Sequence, residues 1–388
     1  MKSYSEALAE LRRNGRVRQL TETESSQSHI VRNGVSMLNL SSNDYLGITQ
    51  EESLWRAFLE ETPVTRLQPS AASSRLLTGN HPAYSRLEKL LTQLYERPAA
   101  LVFNSGYHAN SGILPAIADE RTLILADKLV HASLIDGMHL GHAPYIRYRH
   151  NDYQHLETLL REKAHNFDTV IVATESIFSM DGDICDLRRL IDLKREFSNV
   201  MLYVDEAHAI GVRGQRGLGL CEEYNCISDI DMLVVTFGKA IASVGAALIC
   251  NEEIKEWLVN TMRPFIFTTA LPPINVEWTH YVLSHLDVLS NRRHHLAAIA
   301  QKVNDAITRC KGDTGSRSHI IPYIIGDAAE TQTEAIRMQR LGFYLMPVRP
   351  PTVPAGTSRL RISLHALCSD DDIEQLIAAL TQNSTTWK

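Results

Sequence analysis

Thr236-Phe237-Gly238-Lys239-Ala240 follows directly on the apolar run Met232-Leu233-Val234-Val235. That run reads as a buried strand. It delivers one amine to the strand's carboxyl end, where open α/β sheets bind their ligands. The small residues around the lysine, Gly238, Ala240, Ala242 and Ser243, leave room for a bulky ring against the backbone. A second strand, Val200-Met201-Leu202-Tyr203-Val204, delivers Asp205-Glu206-Ala207-His208 in the same way. An amine, a carboxylate and an imidazole at neighbouring strand ends are the parts needed to hold and use pyridoxal phosphate. The amine condenses with the cofactor's aldehyde, and the acid pairs with its pyridine nitrogen.

Working outward, apolar runs at 100–103, 122–126, 169–174, 200–204, 232–236 and 246–250 alternate with helix-like stretches such as 155–163 and 187–197. This is the βαβ rhythm of a mostly parallel sheet covered by helices. The 246–250 run follows Lys239 so closely that it is expected to enter antiparallel. Upstream, residues 4–20 show helical periodicity, with Leu8, Leu11 and Val17 on one face among several arginines, and a polar link spans 21–28. Downstream of Pro272-Pro273 a long helical stretch, 274–310, precedes strands at 320–325, 344–346 and 358–363 and helices at 331–341 and 370–380. The expected organisation is an N-terminal helix and arm over 1–40, a large α/β domain over 41–283 and a smaller α+β domain over 284–388.

A chain of 388 residues is too long for one typical core, which fits that division. The net charge of −6 opposes a general nucleic-acid surface, although a local arginine cluster still suits small anions. Six cysteines are scattered without a CxxC pair, so reduced thiols and a cytoplasmic location are expected, and no metal site. Charges break the N-terminal segment every few residues, and no apolar run is long enough to span a bilayer, so neither a signal peptide nor a membrane span is expected.

Three further strand ends carry chemistry. Asn104-Ser105-Gly106-Tyr107-His108-Ala109-Asn110 enters a helix through a glycine turn, and exposed amides at a helix N-terminus favour a phosphate. Tyr107 is placed to lie over a cofactor ring. His131, in Asp127-Lys128-Leu129-Val130-His131, and Ser179, in Thr174-Glu175-Ser176-Ile177-Phe178-Ser179-Met180-Asp181-Gly182-Asp183, sit at two others. Asp205-Glu206-Ala207-His208 also spells the acidic box of some helicases, but no GxxxxGK[ST] accompanies it, and no GxGxxG follows the early strands.

Together these motifs resemble the α-oxoamine synthases, pyridoxal-phosphate enzymes of the aspartate-aminotransferase fold (fold type I). The likeness runs nearly end to end, from Leu40-Ser41-Ser42-Asn43-Asp44-Tyr45-Leu46-Gly47 to Arg349-Pro350-Pro351-Thr352-Val353-Pro354-Ala355-Gly356-Thr357 with Arg359-Leu360-Arg361. The resemblance implies a decarboxylative condensation of an amino acid with an acyl thioester. The C-terminal motif points to L-alanine with a pimeloyl thioester, against glycine or serine or another acyl group. It further implies that Lys239 binds the cofactor and acts as the base, Asp205 pairs with its ring nitrogen, and His131 stacks on the ring and assists at the carbonyl. His208 and Ser179 contact the ring-oxygen region, while Gly106, Tyr107 and Thr236 seat phosphate and ring. Thr268 and Thr269 reach the phosphate of a partner subunit's cofactor, implying a homodimer. Asn43 and Arg361 hold the amino-acid carboxylate. Arg18 (or Arg16) and Thr352 face the acyl substrate, whose far end meets Arg18 or Arg349. Two stretches depart from the family by having fewer glycines, 69–74 and 240–245, and both bear on the acyl channel.

Overall fold

The strand Met232–Thr236 is buried along its whole length, as its uninterrupted apolar sequence requires of a strand covered on both faces. It belongs to a seven-stranded sheet, formed in spatial order by Ala99–Phe103, Ala246–Cys250, Met232–Thr236, Val200–Asp205, Thr169–Glu175, Thr122–Asp127 and Tyr145–Tyr148. The Ala246–Cys250 strand is antiparallel to both its neighbours, and the remaining pairs are parallel. The apolar runs hold as strands to within a residue at each end, and the edge strand Tyr145–Tyr148 is an addition to them. The computed structural model describes residues 3–13, 17–18 and 20–381.

The chain divides into two compact units, one of residues 51–179 and 184–293, the other of 1–50, 180–183 and 294–388. In the larger unit, helices cover the sheet and begin at its functional end. Ser105 caps the helix Gly106–Ile117 by accepting the His108 amide, and His131 caps Ala132–Leu140 by accepting the Ser133 amide. These two helices lie so close that a Cβ on Gly137 would come within 2.5 Å of the Asn110 carbonyl oxygen. Beneath them Ile113, Leu114, Leu134 and Met138 are buried in the core that the sheet shares.

In the smaller unit, Glu24–Ser26, His29–Arg32, Val35–Asn39 and Phe343–Tyr344 form one sheet, and Ile320–Gly326, Ser358–Ser363 and Pro347–Val348 another. Several expectations are corrected here. The polar link over 21–28 contains the strand Glu24–Ser26, which pairs back onto His29–Arg32. The single strand expected over 344–346 is two short ones, which join different sheets. The N-terminal helix is Tyr4–Arg13, and Val17 and Arg18 are not helical. The helix expected over 274–310 is broken into Pro273–Ser284 and Ser290–Lys311. At the break, His285 Nδ1 donates to the Tyr281 carbonyl at 2.7 Å, so a side chain satisfies a main-chain group of the last turn. The turn at Gly182 (φ +67) packs so tightly that a Cβ would lie 1.8 Å from the Ile320 carbonyl oxygen, so Asp181-Gly182-Asp183 is a structural turn.

All six cysteines are free thiols, and only Cys310 is exposed. Among the described residues no helix is long and apolar enough to cross a membrane, and no group of acidic, histidine and cysteine side chains is arranged to hold a metal ion.

Candidate active site

In the larger unit, Lys239 is half-buried on a tight loop that leaves the Met232–Thr236 strand. The loop is pinned by main-chain bonds from Phe237 to Gly245 (2.9 Å), Ser243 to Phe237 (2.8 Å) and Ala242 to Lys239 (2.8 Å). Trp278 donates its indole N–H to the Ala242 carbonyl at 2.9 Å, tying the loop to the helix Pro273–Ser284. That helix is held in turn by ring contacts of Trp278 with Trp55 and Phe58, each at 5.2 Å between centroids. Ala242 has φ +51, and so does Ala72 in the other glycine-poor stretch. Left-handed backbone costs an alanine about 1–2 kcal/mol, so surrounding contacts hold both segments in place.

Asp205 ends the neighbouring strand and is 4% exposed. Both its carboxylate oxygens have donors: Asn110 Nδ2 at 2.7 Å and the Ala207 amide at 2.9 Å. Asn110 is fixed by the Tyr203 hydroxyl at 2.7 Å and donates to Ser133 Oγ at 3.0 Å. Ser133 Oγ lies 2.8 Å from His131 Nδ1, and the Ser133 amide donates to that nitrogen at 3.2 Å. Because Nδ1 accepts, the neutral ring carries its proton on Nε2. One chain of hydrogen bonds therefore joins Asp205 to His131 through Asn110 and Ser133. Desolvation lowers the His131 pKa, with Asp205 opposing and Lys239 reinforcing the shift, so the neutral ring is favoured. His131 as a residue remains exposed. Buried Asp127 fixes the loop that leads to His131 by accepting from the Leu129 and Asn151 amides, each at 2.8 Å.

Gly106 begins its helix beside Thr236: a Cβ there would meet Thr236 Cγ2 at 2.6 Å, so glycine is needed for this approach. Thr236 is 7% exposed. Tyr107 is 50% exposed, and its hydroxyl donates to Asp136, which raises the phenol's pKa. Ser179 is half-buried and His208 is buried in the turn after Asp205. Asn104 Nδ2 donates to Thr268 Oγ1 at 3.1 Å and to the Thr269 carbonyl at 2.6 Å, which sets the segment before Pro272 against the Gly106 turn. These residues fit pyridoxal phosphate. A buried, doubly hydrogen-bonded carboxylate suits the pyridinium, a half-buried amine stands on the adjacent strand end, and a glycine at a capped helix N-terminus suits the phosphate.

In the smaller unit, Arg361 reaches Asn43 Oδ1 at 3.3 Å, the Tyr45 hydroxyl at 3.4 Å and Ser363. The Tyr45 hydroxyl donates to Asn43 Oδ1 at 3.0 Å, and burial raises its pKa while Arg361 pulls the other way. Arg18 donates to Thr352 Oγ1 at 3.0 Å, and Arg349 donates to Gln332 at 2.7 Å. All three of Arg18, Arg349 and Thr352 line one cavity of about 1270 Å³, with Met37, Ile336 and Met346 among its apolar walls. Arg16, the alternative to Arg18, lies outside the described residues. Asn110 and Tyr45 stand inside the quoted motifs and Ser133 two residues beyond one, yet spacing alone gives them no role, because they act by holding other side chains.

Beside Asp205, Glu206 is fully buried and accepts the Cys221 amide at 2.9 Å. Burial pushes its pKa up to about 7. The folded state thus holds this proton more tightly than the unfolded chain. That stabilisation is complete below about pH 4.5 and is lost as pH rises through about 7, a total of about 3 kcal/mol. In Glu206→Gln the decline in stability across this window should shrink by about that amount. Urea unfolding of both proteins near pH 5 and near pH 8 measures it, and parallel declines would refute the assignment.

The fold and site together define a fold-type-I pyridoxal-phosphate enzyme. The aminotransferase class I and II family model matches residues 35–380. The chain is 50% identical over 388 residues to the 8-amino-7-oxononanoate synthase of Haemophilus ducreyi, covering 98% of this chain and 100% of that one. A serine palmitoyltransferase from S. paucimobilis superposes with a TM-score of 0.89 at 27% identity, covering 98% of this chain and 96% of that one. The 8-amino-7-oxononanoate synthase of Francisella tularensis superposes at 0.76 with 25% identity, covering 90% and 98%. The chain belongs to the aminotransferase class I and II family and, within it, to the α-oxoamine synthases, pyridoxal-phosphate-dependent acyltransferases.

Proposed function

We propose that this protein joins L-alanine to a pimeloyl thioester, releasing carbon dioxide and the thiol and giving 8-amino-7-oxononanoate for biotin biosynthesis. The observation that carries this reading is the 50% full-length identity to the synthase of H. ducreyi. Bound pyridoxal phosphate supplies an electron sink for the pair left on the amino acid's α-carbon. Lys239 would hold the cofactor, and its amine is the group that would take the α-proton. Asp205 would pair with the ring nitrogen. His131 would lie against the cofactor ring, and its Nε2 proton would be available to the thioester carbonyl. His208 and Ser179 meet the ring-oxygen region, while Gly106, Tyr107 and Thr236 seat phosphate and ring. Arg361 and Asn43 hold the alanine carboxylate. Arg18, Thr352 and Arg349 receive the far carboxylate of the acyl chain. The test is competition of alanine, glycine and serine with pimeloyl and succinyl thioesters, read by mass spectrometry. A fastest reaction of glycine or serine, or of the short acyl group, would move the protein to another α-oxoamine synthase.

Arginine grips a carboxylate through two parallel hydrogen bonds, a geometry lysine cannot reproduce. Arg361→Lys should therefore raise the KM for alanine by roughly 10- to 100-fold, with cofactor content unchanged. An unchanged KM would remove Arg361 from the carboxylate site.

The reading includes a homodimer in which Thr268 and Thr269 complete the partner's phosphate site. It is supported by apolar side chains that a second copy would cover, Phe267 at 73% exposure and Leu77 at 79%. Lys239→Ala mixed and refolded with Thr268→Ala/Thr269→Ala should regain about a quarter of wild-type activity, because each hybrid dimer holds one intact site. No regain, or full activity in a monomer shown by sedimentation, would contradict it.

A further inference from the structure

Glu175 ends the strand Thr169–Glu175 directly beside Asp205 in the parallel register, and it is 2% exposed. The two carboxyl groups are equipped differently. Each Asp205 oxygen has a hydrogen-bond donor, whereas Glu175 Oε1 is buried with no partner among the described residues. A buried anion with an unsatisfied oxygen is costly, while a neutral carboxylic acid in the same place is far less so. Two buried carboxyl groups side by side also prefer to share one charge between them. We infer that Glu175 is a further positioning residue of this site: a carboxylic acid that keeps its proton beside the start of the His131 helix and leaves the negative charge to Asp205.

The inference rests on reading Asp205 and Lys239 as the cofactor-binding pair. The groups acting on Glu175 come from four elements. Burial, Asp205 on the neighbouring strand and Asp127 at the end of Thr122–Asp127 favour the protonated form; Lys239 and the His131 main-chain N–H favour the ion, and burial is the largest of these effects. The consequence reaches His131. A second anion at the strand ends would draw that imidazole toward its cation, whereas a neutral Glu175 leaves the ring in the neutral form with its proton on Nε2. Gln at this position keeps the shape and the neutrality, so it is the informative substitution.

The test begins with infrared spectra of the cofactor-free protein near neutral pH, with Glu206→Gln as background to remove the neighbouring carboxyl whose pKa burial also raises. A protonated-carboxyl C=O band should be present and should vanish on adding Glu175→Gln. Its absence before the second substitution would overturn the inference. In equilibrium titration with pyridoxal phosphate, Glu175→Gln should bind within about threefold of wild type and Glu175→Ala about tenfold more weakly. Binding as weak in Gln as in Ala would show that the carboxylate charge is required and would also overturn it. If Glu175→Gln does not fold, the band is followed with pH in the Glu206→Gln protein alone: persistence to about pH 8 supports the inference and disappearance by then sinks it. A band that behaves as expected in a protein that does not condense alanine with a pimeloyl thioester would sustain the state of Glu175 and overturn the substrate reading.

Discussion

Lys239→Ala is expected to lower turnover by about four orders of magnitude, about 5.5 kcal/mol of transition-state stabilisation. The size follows from the two tasks proposed for one amine: covalent seating of the cofactor and removal of the α-proton. Among the described residues no other lysine is a candidate by position. Lys128 lies at the start of the His131 loop and is exposed, and Lys255 is paired with Glu88. The loop itself should survive the substitution, because it is held by main-chain bonds around Phe237 and Ala242 and by Trp278. Two measurements separate the tasks. Borohydride reduction followed by peptide mapping should place the cofactor on the Lys239 peptide in the wild type and on none in the variant. Added methylamine should restore part of the proton-transfer rate if a free amine is what was lost. Labelling of a different lysine in the wild type would sink the assignment.

How much of this is legible in the sequence varies with the physics of each segment. The Met232–Thr236 and Val200–Asp205 strands are continuous apolar runs, and burial on both faces is the only arrangement that suits them. The antiparallel entry of Ala246–Cys250 follows from the short loop after Lys239. By contrast, Glu24–Ser26 is wholly exposed and polar, so its pairing is a tertiary outcome with no periodic signal. Tyr145–Tyr148, an edge strand with an exposed start, escapes a reading by apolar runs for the same reason. At the site, residues at strand ends can be named because strand ends present side chains to ligands. Asn110 cannot, because its part depends on Tyr203, Ser133 and Asp205 converging from other elements. Glu175 stands in a quoted motif, yet its burial and its unpartnered oxygen belong to the fold alone.

Asp205→Asn is expected to cost at least a hundredfold in turnover, about 2.7 kcal/mol. The substitution keeps the volume and one acceptor, so the Asn110 or the Ala207 hydrogen bond can persist. It cannot keep both, since the new amide nitrogen faces a donor in either orientation. The larger loss is the charge. On the proposed reading, the Asp205 carboxylate would pair with the cofactor's ring nitrogen and keep it protonated, which a neutral amide would not, so the ring would accept electrons from the α-carbon less well. Cofactor should still bind in part, because Lys239, the Gly106 turn and Thr236 are untouched. The comparison with Asn110→Ala separates the two contributions. That change leaves the Asp205 charge in place and removes one donor, which should cost about tenfold or less. If Asp205→Asn turns over as well as Asn110→Ala at equal cofactor content, the carboxylate's charge is not what the reaction uses. The role would then pass to its other neighbour in register, Glu175, which would have to be ionised.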